Sequence, residues 1–229
     1  WEFHGYYIRV LLIMGIPMGL QYSITAIGSI VLTTAVNGLG SVYVAAQTAA
    51  GRVSCFFCTV YDALGSTMAT YGGQNVGAKK LGRLNKGLKC ASIIGTIYSL
   101  AVFVIMFFYG RPFAALFVSS AETEILDAAR LSLVIGTVFY VPLAFVNIVR
   151  FLIQGMGYPM LAIFAGVFEM IGRIAAAVFL VPVFGFTGVC VASPIAWILA
   201  DAFLFPAYFH VRKKTYQLYH MDPEGPDPE

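Results

Sequence analysis

Charged residues are scarce in this 229-residue chain, at 11%, whereas about a quarter of a soluble domain is charged. Hydrophobic residues make up 59% of the chain, and the mean hydropathy is +0.82. One water-facing globule cannot bury that much apolar surface, so we expect the solvent around most of the chain to be lipid. The net charge of only +3 gives no reason to expect a nucleic-acid partner.

Catalytic and metal-binding motifs are also absent from the sequence. It contains no P-loop, no G-x-S-x-G and no H-E-x-x-H, and its three histidines lie near the chain ends. Cys55 and Cys58 form a C-F-F-C inside an apolar stretch, where packing explains them better than a redox or zinc site, which needs further ligands. We therefore expect no enzyme, no cofactor and no metal, and active transport without an ATP site would use an ion gradient.

Long charge-free runs divide the chain into six predicted transmembrane helices. No charge occurs from Val10 to Gly51, which exceeds one crossing of about 20 residues, and the turn sequence N-G-L-G at 37–40 divides this run. The run from Cys90 to Gly110 and the run from Leu131 to Val149 are also uncharged. The predicted helices cover residues 10–36, 41–71, 90–109, 124–153, 159–181 and 189–210.

The short connections predict an all-α membrane protein, a six-helix antiparallel bundle within residues 10–211. Residues 1–9 form an N-terminal interfacial or linker segment. Residues 212–229 form a cytoplasmic tail whose acidic, proline-rich end, M-D-P-E-G-P-D-P-E, is typical of disorder. The chain begins with Trp1 rather than Met, and its first apolar run is too long for a signal peptide, so we expect a fragment or a processed chain.

Basic residues in short loops stay cytoplasmic and so predict the orientation. If the helices alternate in direction, ten Lys and Arg fall on one side of the membrane, against Arg111 and Arg130 on the other. Both termini are therefore predicted to lie on the cytoplasmic side of the plasma (inner) membrane. The ten residues are Arg9, Lys79, Lys80, Arg83, Lys86, Lys89, Arg150, Arg212, Lys213 and Lys214.

Arg52, Asp62, Glu169, Arg173 and Asp201 fall within the apolar parts of the predicted helices, where each costs roughly 2.5–3.5 kcal/mol and normally faces the bundle interior or a wet cavity. Glu169 and Arg173 share one helix face and form either a neutralising lock or a pair controlled by a protonatable glutamate. Asp62 either reaches the interface or faces a wet cavity. Arg52 is better interpreted as snorkelling or packing than as binding an anionic group, and Asp201 as structurally paired rather than coupling.

The first predicted helix carries a polar seam, which either lines a cavity or bonds between helices at about 0.6 kcal/mol per bond. The spacings Gln21–Thr25 and Thr33–Asn37 keep each pair on one face, and the number of polar groups on one helix favours a cavity. The seam consists of Gln21, Tyr22, Ser23, Thr25, Thr33, Thr34 and Asn37. The aromatic residues, at 15%, and eight methionines suit flat, apolar, cationic compounds or ordinary core and lipid contacts.

Several stretches resemble, in order, the second half of multidrug and toxic compound extrusion (MATE) transporters. T-M-A-T-Y-G-G-Q-N-V-G-A at 67–78, with its basic loop, resembles the family's A-M-A-T-Y-x-G-Q-N-x-G-A. G-I-P-M-G-L-Q-Y-S-I at 15–24 resembles the start of the seventh helix, and residues 37–53 resemble the link into the eighth. Further similar stretches lie at 150–160, 168–173 and 185–197. The ordered set covers about residues 8–214.

The resemblance implies a twelve-helix exporter built from two six-helix lobes, of which this chain is the C-terminal one. It implies alternating access and export of cationic amphiphilic drugs in exchange for Na⁺ or H⁺, with the missing N-terminal lobe as partner and no transport by this chain alone. The family's cavity-lining helices would be one, two and four here, which adds Asn147 to the lining. The predicted cavity set is Gln21, Tyr22, Thr25, Asn37, Asp62 and Asn147.

Two departures from the family pattern leave the coupling ion open. The N-terminal lobe, where many members carry a coupling aspartate, is absent, and Thr25 stands where some members have an acidic residue. A flippase for lipids or oligosaccharides in the same broad superfamily would have a more cationic cavity, and the few interior cations beyond Arg52 and Arg173 disfavour it. A non-transporting six-helix scaffold or an intramembrane enzyme is the remaining alternative; the enzyme would need a Ser–His or Asp–Asp pair within helices, and none is visible.

Overall fold

The computed structural model describes residues 5–119 and 121–219, and these residues are helical almost throughout, with no strand among them. Three-residue turns or single residues separate most of the helices. The helical segments are α1 (Gly5–Asn37), α2 (Ser41–Gly77), α3 (Gly82–Ala114), α4 (Thr123–Val138), α5 (Tyr140–Gly155), α6 (Pro159–Ala175), a π-helical segment (Ala176–Leu180), α7 (Val181–Phe184) and α8 (Phe186–Leu218).

The segments form six rods, as the sequence predicts, but the fourth rod is not one straight helix. It is the pair α4 and α5, bent by 52° at Phe139. Pro142 lies in the first turn of α5 and accounts for the break, because proline lacks the N–H that would bond the carbonyl of Val138 and its ring clashes with that carbonyl. The fifth rod runs from α6 through the π-helical segment into α7. The π-helical segment, whose turns are wider than those of an α-helix, ends two residues before Pro182.

Four of the rods are long and apolar enough to cross a membrane: α1, α3, the rod Pro159–Phe184, and α8, while the bent pair α4–α5 would make a fifth. The 37-residue α2 is long enough, but Arg52, Asp62 and many small polar residues lower its hydropathy. It contacts α3, α4 and α5 mainly through small and apolar residues, while Arg52, Asp62 and most of its Ser and Thr side chains are exposed.

Close backbone approaches hold these rods together. A methyl group added at Gly155 on α5 would overlap the carbonyl oxygen of Ala69 on α2, and one added at Gly172 on α6 would lie 2.8 Å from the Cα of Ala196 on α8. Small residues at helix crossings are the usual means of packing in lipid. The α2–α5 and α6–α8 crossings therefore fix the helices that carry the buried charges described below.

Several helices extend beyond their predicted ends. Arg83, Lys86 and Lys89 lie in the first turns of α3 rather than in a loop, and α8 continues through residues 212–218, where we predicted a tail. Charge-free runs delimit only the part of a helix that lies in lipid, and the hydrogen-bonded backbone continues into water. Of the predicted terminal segments, residues 1–4 and 220–229 lie outside the described residues.

Candidate functional site

A buried ionic cluster joins α5 to α6. Arg150 of α5 and Arg173 of α6 both bind the carboxylate of Glu169. Arg150 donates from Nη2 to Oε1, and Arg173 Nη2 lies 3.2 Å from Oε2. All three side chains are less than a tenth exposed. Because two guanidinium groups share one carboxylate, the trio carries one excess positive charge.

The polar residues of α1 extend this cluster. Gln154, one turn beyond Arg150, donates from Nε2 to Oε1 of Gln21 at 2.7 Å. Arg173 Nη1 donates to the backbone carbonyl of Thr25 at 3.4 Å. The polar seam of α1 is therefore in part an interhelical contact surface against α5 and α6, which was one of its two predicted roles.

Asp201 of α8 lies near this cluster without forming an ion pair with it among the described residues. Its side chain is buried, and the opposite charge that acts on it is Arg150. Within the described part of the chain, no hydrogen-bond partner is present for four buried atoms here: Thr25 Oγ1, Arg150 Nε, Gln154 Oε1 and Asp201 Oδ1. Orphaned buried polar atoms are rare, so these atoms mark a candidate site for a small polar ligand.

A cavity of about 320 Å³ adjoins the cluster, between α1, α2, α6 and α8. This volume is at the lower end of the range for small-molecule sites. Several of its lining side chains, such as Ser29 and Asn37, are exposed, so the cavity opens at the surface of the bundle. The lining residues are Ser29, Leu32, Thr33, Val36, Asn37, Val44, Gln47, Thr48, Arg173 and Ser193.

A second cavity of about 150 Å³ lies beside the first and shares Gln47 and Ser193 with it. Its walls include Tyr140 and Trp197, whose ring centroids are 6.0 Å apart. Ser132 of α4 donates to Gln47 Oε1 at 3.0 Å. The two cavities therefore lie side by side along α2 and α8, the first lined mainly by polar residues and the second partly by aromatic rings.

The family model MatE matches residues 17–179, more than half of the chain. The chain belongs to the MatE family. With its apolar helices, this membership makes the chain a multi-pass membrane protein. No curated protein matches the chain.

Solved MATE structures share the fold of this MatE chain. A MATE in complex with MaL6 has a TM-score of 0.83 at 18% identity, over 96% of this chain and 50% of that one. An outward-facing multidrug resistance MATE transporter has a TM-score of 0.81 at 18% identity, over 94% of this chain and 48% of that one. The Vibrio cholerae MATE transporter VcmN in the bent form has a TM-score of 0.78 at 18% identity, over 88% of this chain and 46% of that one. The chain thus spans about half the length of the structures it matches.

The structure separates the predicted cavity residues. Gln21 is buried in the ionic cluster and Thr25 lies at its edge, while Asn37 lines the larger cavity. Tyr22 is 57% exposed, and Asp62 is exposed on α2. Asn147 is half-buried and donates to the carbonyl oxygen of Leu143 in its own helix at 3.0 Å. Tyr22, Asp62 and Asn147 are not among the residues that line the larger cavity.

The predicted intramembrane charges also differ in their surroundings. Glu169 and Arg173 are in contact, as their spacing predicts. The two roles predicted for the pair, a neutralising lock and a pair controlled by a protonatable glutamate, both stay predictions. Arg52 is exposed and borders an apolar pocket lined by Phe56, Phe57 and other residues. Among residues 5–119 and 121–219, no three His, Cys, Asp or Glu side chains are grouped so that they could hold a metal ion.

Arg150 does not lie where the sequence predicts. The distribution of basic residues predicts it among the cytoplasmic cations, yet it is only 6% exposed and binds Glu169. The feature that indicates a buried position is its distance from the helix end, because Arg150 lies six residues before Met156, the C-cap of α5. That offset places it about 9 Å inside the helix end, too deep for an interfacial residue with a free side chain.

Proposed function

We propose that this chain is one lobe of a secondary active multidrug exporter, which expels cationic amphiphilic compounds in exchange for Na⁺ or H⁺. Family membership supports transport as the general activity. The lobe also matches MATE structures described as outward-facing and inward-facing, with TM-scores of 0.81 and 0.77. A lobe that keeps its fold in both conformations suits alternating access by movement of two rigid lobes.

The observation that carries this proposal is the open cavity. It is walled by α1, α2, α6 and α8, and its exposed polar side chains lie at the bundle surface. A polar opening on a membrane bundle needs either water or a second protein surface over it, because lipid cannot satisfy its hydrogen bonds. A companion N-terminal six-helix lobe would close it and complete the substrate site.

The lining of this cavity also restricts what this lobe contributes. Hydroxyl and amide groups predominate, and among the described lining residues Arg173 is the charged one. The negative charge that attracts a cationic drug would therefore come from the companion lobe, while this lobe supplies hydrogen bonds and the aromatic wall near Trp197.

We further propose the plasma (inner) membrane as the location, with both termini cytoplasmic. Lys79 of the α2–α3 turn lies 5.9 Å from the ring of Tyr219 at the end of α8. This contact supports the α2–α3 turn and the end of α8, the two most basic segments, lying on the same side of the membrane. Basic segments of this kind stay on the cytoplasmic side.

Ethidium efflux from cells tests the proposed export. Cells that produce this chain together with a complementary N-terminal lobe should lower their ethidium content, and collapse of the ion gradient should abolish that effect. Cells that produce this chain alone should retain ethidium, because one lobe cannot close both sides of a cavity. Efflux by the chain alone would contradict the half-exporter proposal.

Arg173 favours one second candidate, a carrier for lipids or oligosaccharides with anionic headgroups. Its guanidinium borders the cavity and is the charged group among its described lining residues. Reconstitution of the two-lobe protein into liposomes distinguishes the candidates. Translocation of a headgroup-labelled anionic lipid without ethidium transport would support the second, and the reverse result would support the first.

A further inference from the structure

Two turns of the bundle and the end of α8 meet at one end of the molecule. Lys79 of the α2–α3 turn lies over the ring of Tyr219, which follows α8, at 5.9 Å from its centroid. Lys214 of α8 lies 5.5 Å from the ring centroid of Tyr158, in the α5–α6 turn. The end of α8 therefore contacts both turns, and the three segments form one continuous surface.

Polar contacts fix the inner edge of this surface. The hydroxyl of Tyr208 and the side-chain amide of Asn85 are 2.8 Å apart, which ties α8 to α3. With its amide oxygen turned toward Arg212, Asn85 accepts from both terminal guanidinium nitrogens at 3.1 and 2.9 Å. Arg212 also lies 5.3 Å from the ring centroid of Tyr216. Its charge is thus held in place rather than free to move with a flexible side chain.

The charges on this surface are all of one sign. Eight cations define what we call the basic end: Lys79, Lys80, Arg83, Lys86, Lys89, Arg212, Lys213 and Lys214. The sequence has no Asp or Glu between Asp62 and Glu122, or between Asp201 and Asp222. Six of the eight side chains are exposed, and within the described residues none of the eight forms an ion pair with a carboxylate.

We propose that the basic end binds the headgroups of anionic phospholipids in the membrane leaflet that surrounds it. Its cations lie at the ends of helices whose apolar surfaces face lipid, so they lie at the depth of the headgroups. The lysine stems and the tyrosine rings that they cover suit the boundary between acyl chains and water. This lipid site is separate from the cavity and from the ionic cluster.

The chain's own acidic end is the competing occupant. Residues 221–229 carry four carboxylates, at Asp222, Glu224, Asp227 and Glu229. Four carboxylates would neutralise half of the eight cations and leave a surplus of four. A sheet of anionic headgroups, in contrast, can reach cations on the α2–α3 turn, α3 and α8 together. The charge balance therefore favours the lipid.

Lipid titration of the purified 229-residue chain in a neutral detergent tests this proposal. Short-chain phosphatidylglycerol should raise the unfolding temperature, and phosphatidylcholine with the same acyl chains should not. The quadruple variant Lys79→Gln, Lys80→Gln, Lys213→Gln, Lys214→Gln should weaken the apparent affinity for phosphatidylglycerol on the order of several hundred-fold, because each cation near an anionic surface contributes roughly five-fold.

Two further variants provide controls. The same four positions changed to arginine should keep the affinity, which separates loss of charge from loss of folding. The pair Arg111→Gln and Arg130→Gln, at the other end of the bundle, should also leave it unchanged.

Equal responses to the two lipids, or an unchanged affinity in the glutamine variant, would overturn the proposal. A chain without residues 221–229 that binds phosphatidylglycerol while the intact chain does not would identify the acidic end as the occupant instead, and would also overturn it. None of these outcomes bears on ethidium export, so this proposal can fail while the proposed function stands.

Discussion

Replacement of Glu169 by glutamine is the most direct perturbation of the buried cluster. The side chain is only 4% exposed and accepts from both Arg150 and Arg173. Glutamine has nearly the same shape, but its neutral amide removes the carboxylate that two buried guanidinium groups share, leaves only Asp201, among the described residues, as an opposite charge near Arg150, and points N–H groups at one of the two arginines. Removal of one partner from a buried ion pair costs about 3–5 kcal/mol. Because two pairs depend on this carboxylate, we expect a loss of about 5 kcal/mol for Glu169→Gln.

Reversible unfolding of the chain in mixed detergent micelles measures this loss. Asp127→Asn is the matched control, since Asp127 pairs with Arg111 at 3.4 Å and both side chains are about half exposed or more. An exposed pair contributes about 0–1 kcal/mol, so the control should unfold almost as the wild type does. The double variant Glu169→Gln, Arg173→Met should recover part of the loss, because it removes one of the two charges that shared the carboxylate.

A loss below about 1 kcal/mol for Glu169→Gln would refute this reasoning, because it would show that the carboxylate does not compensate the two arginines. One further outcome assigns a different role to the cluster. If Glu169→Gln folds normally but abolishes efflux in the two-lobe protein, the glutamate serves ion coupling rather than stability.

Three other substitutions test individual contacts. Gly155→Val should prevent close packing of α5 on α2 and cost about 3 kcal/mol of unfolding free energy, because its side chain would overlap the Ala69 carbonyl; normal stability would contradict the observed crossing. Gln21→Leu should cost about 1–3 kcal/mol, because it leaves the buried amide of Gln154 unpaired, and a neutral result would show that the bond contributes nothing. Pro142→Ala should reduce the 52° bend of the fourth rod; spin-label distances across the bend should lengthen, and unchanged distances would assign the bend to packing.

The number and approximate places of the rods were predictable because lipid imposes a simple rule. A helix that crosses the membrane needs about 20 apolar residues, and the runs beginning at Val10 and Cys90 satisfy it visibly. The contact between Glu169 and Arg173 was equally predictable, because residues four apart share a helix face. In both cases the information is local in the sequence.

Contacts between distant segments were not predictable in this way. Arg150 binds a carboxylate 19 residues away, and the α5–α6 turn and the rotation of each helix decide that contact. The polar seam of α1 shows the same limit. Its periodicity marks a polar face, but only the packing against α5 and α6 shows that Gln21 lies in the cluster while Asn37 lines the cavity.

The proposed orientation and the proposed export both require the basic connections to lie on one side of the membrane. Single cysteines at Lys80→Cys and Lys213→Cys, in a chain whose four native cysteines are replaced by serine, can be labelled with a membrane-impermeant maleimide. Both sites should react only when the cytoplasmic face is accessible, while Ser119→Cys should react only from the opposite face. Labelling of positions 80 and 213 from opposite faces would contradict both proposals.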